Sequence, residues 1–286
     1  MIKVIISIGI MTIAIANAHS QNCCMKKLHC DGMVAFASDK NFKDAHTAPE
    51  PFDYKEEKGK MISYNTPDGK TASAFAVLSG KKTNKVLFVF HEWWGLNDYI
   101  KKEAEWLQKE LGDVDVYALD LYDGKIANVP DSAGKYMSQM NPERVVSIVK
   151  GLISLTETNT SGKPTEIATI GWCMGGSWSF QASLIAGSKV KACVMYYGFP
   201  EKDIQKIKGL TTDVLYFQGL QDGFISKDAV DTFAKDLKSE GKKITIKQYD
   251  AVHAFANPSN PKFDKIASAD AHILAIAFLK KGLMLK

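Results

Sequence analysis

Residues 166–180 read EIATIGWCMGGSWSF, and this stretch decides the fold. Its first half, around Ile167–Ile170, is an apolar run of strand type. Its second half, from Ser177 onward, has the composition of a buried helix. Between them lies Gly171-Trp172-Cys173-Met174-Gly175, the G-x-S-x-G spacing of a nucleophile elbow with cysteine in the serine position. Gly171 and Gly175 permit a tight strand-to-helix turn that side chains would block. A cysteine at the head of a helix sits where the helix dipole favours its thiolate.

Outward from the elbow, strands and helices alternate. Upstream, MISYNTPDGKTASAFAVL reads as a hairpin about Pro67-Asp68-Gly69, and KVLFVF (85–90) as a buried parallel strand. NDYIKKEAEWLQKELG repeats apolar residues Ile100, Ala104, Leu107 and Leu111 at helical spacing, with Asn97 as cap and Gly112 as stop. VDVYALD is a strand, and helices are expected around 131–140 and 142–155. Downstream, VKACVMYYG, TDVLYFQG and KITIKQYD read as strands, SKDAVDTFAKDLKSEG as a helix, and 261–285 carries a closing helix. This alternation predicts an α/β chain with a doubly wound, mostly parallel sheet and helices on both faces.

The beginning of the chain is different. Met1-Ile2-Lys3, an apolar run from Val4 to Ile15 and Ala16-Asn17-Ala18 have the form of a secretory signal peptide cleaved after Ala18. The expected location is secreted or periplasmic, with no stable membrane insertion after cleavage. Residues 19–55, polar and irregular, are expected to be a mobile extension, leaving 56–286 as the folded domain. In the extension Cys30 could pair with Cys23 or Cys24, or Cys23, Cys24, His29 and Cys30 could instead bind a metal such as zinc. Cys193, in an apolar strand, reads as a packed core thiol.

Composition narrows the function. The net charge is +4, and Arg144 is the only arginine. Phosphate and base recognition favour arginine, so a nucleic-acid partner is not expected. There is no dinucleotide fingerprint and no P-loop, so no cofactor is expected, and no metal at the active site. The chain is expected to act on a small molecule and to be a monomer or small homo-oligomer.

Ligands of open α/β sheets gather at the carboxyl ends of strands. Glu92, Cys173, Asp222 and His253 each follow a strand there. The last three run in the order nucleophile, acid, histidine. His253 would move the thiol proton, Asp222 would orient the imidazole and support its charge, and the backbone N–H groups of Met174 and Trp93 would hold an oxyanion. His91 reads as structural and His272 as helix packing.

At these residues the sequence resembles the dienelactone hydrolase family of α/β-hydrolases, over roughly residues 60 to 286. HEWWGLNDYI matches its Glu-x-x-Gly-x-Asn segment through Glu92, Gly95 and Asn97. LDLYDG matches through Asp120, Leu121 and Tyr122. GWCMGG, YYG (196–198), QDGF and HAF follow in order. The resemblance implies a Cys173–His253–Asp222 triad and a Glu92 carboxylate that pairs with the resting thiol and accepts its proton when substrate binds. In lactone-hydrolysing members an arginine follows the catalytic histidine; here Asn257 stands in that place. A bidentate carboxylate clamp is therefore not expected, and Lys125 or Lys135 could act only as point charges. Trp94, Tyr122, Tyr197 and Asn257 are expected to line a mostly apolar pocket for an uncharged ester or lactone, opened through a thioester. Two rivals stand beside this reading. One is a non-catalytic ligand-binding envelope protein on a hydrolase scaffold. The other is a thiol redox or metal-handling protein using Cys23, Cys24 and Cys30.

Overall fold

The apolar runs expected as central strands form the middle of one eight-stranded sheet. The computed structural model describes residues 31–286 except 53, 56, 159 and 161. The expected signal peptide and Cys23, Cys24, His29 and Cys30 lie outside the described residues. The strands are β1 (Lys60–Asn65), β2 (Thr71–Val77), β3 (Lys85–Phe90), β4 (Asp115–Leu119), β5 (Glu166–Trp172), β6 (Val190–Tyr196), β7 (Val214–Gly219) and β8 (Ile244–Tyr249). Their order is β1-β2-β4-β3-β5-β6-β7-β8, with only the β1–β2 and β2–β4 pairs antiparallel. The described helices are α1 (Asp31–Val34), α2 (Lys40–Ala45), α3 (Asp98–Leu111), α4 (Pro130–Gln139), α5 (Pro142–Thr158), α6 (Met174–Ala186), α7 (Ile204–Lys208), α8 (Lys227–Ser239) and α9 (Lys265–Gly282).

Local chemistry sets the helix ends. Asn97 accepts from the Ile100 amide at the start of α3, and Gly112 ends it at φ +74°. Ser226 caps α8 and Asp264 caps α9. Strands β3, β5 and β7 are buried along nearly their whole length, as expected where helices cover both faces. The chain steps from β3 to β4 in one direction along the sheet and from β5 to β6 in the other. Right-handed crossovers then put α3 and α6 on opposite faces. Helix α3 packs with α9, while α6 packs on β3, β5 and β6 beside α5. The reversal falls between β3 and β5, and such a switch point opens a crevice at the strand ends.

Register carries this to the site. Phe90 of β3 pairs with Gly171 of β5, so Glu92 and Cys173 both emerge two residues beyond paired positions. Gly219 of β7 pairs with Tyr249 of β8, which brings the Asp222 and His253 loops together.

The mobile extension expected over 19–55 does not hold for its described part. Residues 31–46 form α1 and α2, with Met33, Phe42 and His46 buried. Asp39 caps α2 by accepting from the Phe42 amide at 2.7 Å. The Phe42 ring stacks on Phe36 and lies edge-on to Phe224 and Trp93. Burying one phenylalanine stabilises by roughly 1.5–3 kcal/mol, a gain that a polar, irregular average composition hides.

Candidate active site

Cys173 stands between the last residue of β5 and the first of α6, with φ +54°. That left-handed backbone is uncommon for a residue with a Cβ. It is held by the Cys173 amide donating to Tyr196 O and by the Gly176 amide donating to Cys173 O, both at 3.0 Å. A Cβ on Gly171 would lie 2.1 Å from Gly175 O, and one on Gly175 would lie 2.2 Å from Phe90 O. The elbow glycines are thus fixed by close backbone approach. Met174 opens the helix, where an amide has no partner in its own helix.

His253 Nδ1 lies 2.7 Å from Asp222 Oδ2, with both side chains almost wholly buried. Asp222 Oδ1 also accepts from the Phe224 and Ile225 amides at 2.8 and 2.9 Å. Burial works against the Asp222 carboxylate, but His253 and these amides outweigh it and hold its pKa below the ordinary value. Burial likewise opposes the His253 imidazolium. The Asp222 carboxylate, with Cys173 beside it, reverses this and raises the pKa to about 10. Burial pushes the Cys173 thiol up, and Glu92 adds to that against the pull of His253.

Glu92 is buried in the loop after β3. Its Oε1 accepts from the Tyr197 hydroxyl at 3.2 Å, and its Oε2 accepts from Asn257 Nδ2. Burial raises its pKa to about 7, against the lowering influence of His253, Tyr197 and Asn257. His91 acts as a staple, as its structural reading anticipates. Its Nδ1 lies 2.6 Å from Glu92 O, and its Nε2 accepts from the Leu121 amide at 3.1 Å. Asp120 closes the same corner by accepting from the Tyr122 and Gly124 amides.

The expected pocket residues do not form one wall. Trp94 and Asn257 line a cavity of about 40 Å³ with Glu92, Trp172 and Pro258. Tyr122 and Tyr197 are not among its walls. Tyr122 donates to the Met174 sulfur at 3.3 Å and packs on His91. Tyr197 is spent on Glu92, because its buried hydroxyl needs a partner. Asn257 also serves Glu92, while its Oδ1 accepts from Ser259. No arginine takes the clamp's place. Arg144 is tied to Asp123 and Asp68 by ion pairs, and Lys125 and Lys135 are exposed. Cys193 is a buried core thiol beside Ser179, and His272 packs on Trp106 while pairing with Glu103.

Sequence reasoning missed His46. Its ring centroid lies 5.3 Å from that of His253 and 5.0 Å from that of Trp93. Its Nδ1 lies 2.7 Å from Phe42 O. Burial, and then His253, lower its pKa to about 3, so the ring is neutral. The available signal was the Phe42 and His46 spacing, i and i+4 behind an Asp39 cap.

A cysteine elbow at a switch point, followed in chain order by an acid and a histidine at later strand ends, defines an α/β-hydrolase. Comparison with known proteins narrows this further. The model of the dienelactone hydrolase family matches residues 73–283, and the chain belongs to that family, whose members are carboxylic ester and lactone hydrolases. The protein usf of Aquifex pyrophilus is 29% identical over 231 residues, covering 79% of this chain and 99% of its own. A carboxymethylenebutenolidase of Pseudomonas sp. (strain P51) is 25% identical over 229 residues, covering 77% and 94%. Among solved structures, a dienelactone hydrolase-like promiscuous phosphotriesterase from metagenomic libraries superposes with a TM-score of 0.65 at 17% identity, covering 79% and 99%. An esterase of Pyrococcus furiosus gives 0.60 at 15% identity, covering 83% and 100%. These structural likenesses concern the fold alone.

Proposed function

We propose that this chain hydrolyses uncharged esters or lactones through a covalent thioester at Cys173. The observation that carries the reading is a cysteine at the tip of the elbow beside an imidazole held 2.7 Å from a buried carboxylate. At rest the buried thiol keeps its proton. Glu92, titrating about 7, accepts that proton when substrate enters. His253, kept charged by Asp222, stabilises the thiolate. The sulfur attacks the carbonyl carbon, and the amides of Met174 and Trp93 receive the oxyanion. The C–O bond breaks as His253 gives its proton to the leaving oxygen. Water then attacks the thioester, His253 takes a proton from it, and the S–C bond breaks to release the acid. The returning thiolate recovers its proton from Glu92. Keeping the thiol neutral between turnovers limits its oxidation.

The substrate lacks a carboxylate in this reading. Asn257 is bonded to Glu92 and the one arginine is bound elsewhere, which supports it. Cys173 is 1% exposed, so entry requires the side chains of 31–46 that cover the triad to move aside. The leader-like first eighteen residues support export to the periplasm or beyond, and N-terminal sequencing of the exported protein is expected to begin at His19. Cys173→Ala is expected to abolish turnover of small activated esters while the thermal melt stays cooperative. Full activity in that variant would overturn the reading.

A further inference from the structure

The covering segment does more than fill space, because it brings a second imidazole to the nucleophile. One ligand atom from each of His46, Cys173 and His253 lies within 4.8 Å of the others. His46 is 4% exposed and His253 also 4%. Each histidine spends Nδ1 on an oxygen, Phe42 O for His46 and Asp222 Oδ2 for His253. Outer partners of that kind fix the tautomer and ring orientation of metal-binding histidines. His46 Nε2 has no hydrogen-bond partner among the described residues. A buried nitrogen lone pair left unpaired costs stability, and one on a ring clustered with a thiol and a second imidazole has an evident use.

We infer that His46, Cys173 and His253 form a binding site for a borderline-soft divalent cation, with zinc as the best match. Three ligands of one sulfur and two nitrogens leave a fourth tetrahedral position open. Zn–S near 2.3 Å and Zn–N near 2.0–2.1 Å put such ligand atoms about 3.5 Å apart. The site therefore closes by roughly 1 Å on loading, within reach of side-chain rotation. Coordination replaces the S–H bond by S–Zn and releases the thiol proton to solvent. A proton on His253 Nε2 leaves in the same way, and nothing is oxidised or reduced. Harder cations such as magnesium are poorly served by this donor set. The loaded chain has neither a free thiolate nor a free base, so the metal silences the hydrolase until it is withdrawn. The cation reaches the site when 31–46 lifts, and binding through His46 then holds that segment down. This goes beyond the hydrolase reading and does not depend on it.

The test uses the full chain with Cys23, Cys24 and Cys30 changed to serine, so that those thiols cannot contribute. Cobalt(II) is the spectroscopic probe and zinc the competitor. The expected result is one equivalent of cobalt with a thiolate-to-cobalt charge-transfer band, displaced by zinc. His46→Asn keeps a donor towards Phe42 O but removes Nε2. It is expected to weaken zinc binding by more than about a hundredfold, beyond the loss caused by removing an outer-shell partner. Cys173→Ser is expected to lose the band with the fold intact by circular dichroism. It serves as the second variant should His46→Asn fail to fold. Absence of the band in the triple-serine chain, its survival in Cys173→Ser, or unchanged affinity in a folded His46→Asn would each overturn the site. Metal binding by a chain that shows no ester turnover even after the metal is stripped by chelation would leave the site standing and remove the hydrolase instead.

Discussion

Two buried carboxylates flank the nucleophile, and their environments drive them in opposite directions. Asp222 is held below its ordinary pKa, while Glu92 is raised to about 7. Both are desolvated, so burial does not separate them. Partners do. Asp222 receives two backbone amides and a close imidazole at 2.7 Å. Glu92 receives one phenol and one amide group, with no cation in hydrogen-bond contact among the described residues. Two carboxyl groups whose environments push them apart can take different roles. One stays charged and orients the histidine; the other can take a proton and return it.

The contrast breaks most strongly at Asp222. Asp222→Asn is expected to lower kcat/KM by about 10³–10⁴ by losing the imidazole's tautomer and charge support. It is also expected to pull the His253 pKa down from about 10, read by NMR titration of the ring. Stability should fall, because removing one partner of a buried pair costs roughly 3–5 kcal/mol. The pH window follows from the shifts. The lowered Asp222 pKa stabilises the fold above its ordinary value, and this is lost as pH falls. The raised His253 pKa stabilises fully below 6.5 and is lost as pH rises through about 10.

Glu92 has the opposite sign. Its raised pKa means that the folded chain resists ionising it, so stability declines as pH climbs from 4.5 to about 7. Glu92→Gln is expected to lower kcat/KM by about 10²–10⁴. The same change is expected to raise stability by up to about 3 kcal/mol above pH 7, at about 1.4 kcal/mol per pKa unit. A denaturant series at pH 5 and pH 8 checks this, and equal stability changes at both would count against it.

The pH profile sharpens the comparison further. The wild-type kcat/KM is expected to rise with pH through about 7 as Glu92 ionises, and Glu92→Gln is expected to lack that limb. Asn257→Ala removes a hydrogen bond to the charged form. It should move the limb upward by about one to two units, since such bonds contribute roughly 1.5–3 kcal/mol. Tyr197→Phe, with the longer 3.2 Å contact, is expected to move it by less. A limb that neither variant shifts would assign it to another group.

The elbow was legible because its chemistry is local. Gly171, Cys173 and Gly175 lie within five residues, and the turn needs those types at that spacing. Asp222 and His253 were legible because each follows the end of a strand within four residues. The covering segment was not. Phe36, Phe42 and His46 lie far from Trp93, Phe224 and His253 in sequence, and helices of four and six residues give little periodic signal. Tyr122 and Tyr197 looked like pocket walls because sequence shows their type and loop but not the direction of their side chains.

The sequence by itself determined the alternation of strands and longer helices from residue 60 onward, the nucleophile turn, and the residue types at the strand ends, because backbone sterics and hydrophobic periodicity act over a few residues. Only the tertiary structure decided which carboxylate stays charged, that Asn257 and Tyr197 serve Glu92, and that His46 stands over Cys173. Those outcomes depend on desolvation and on donors brought together from distant loops, and neither is written in any short stretch of the chain.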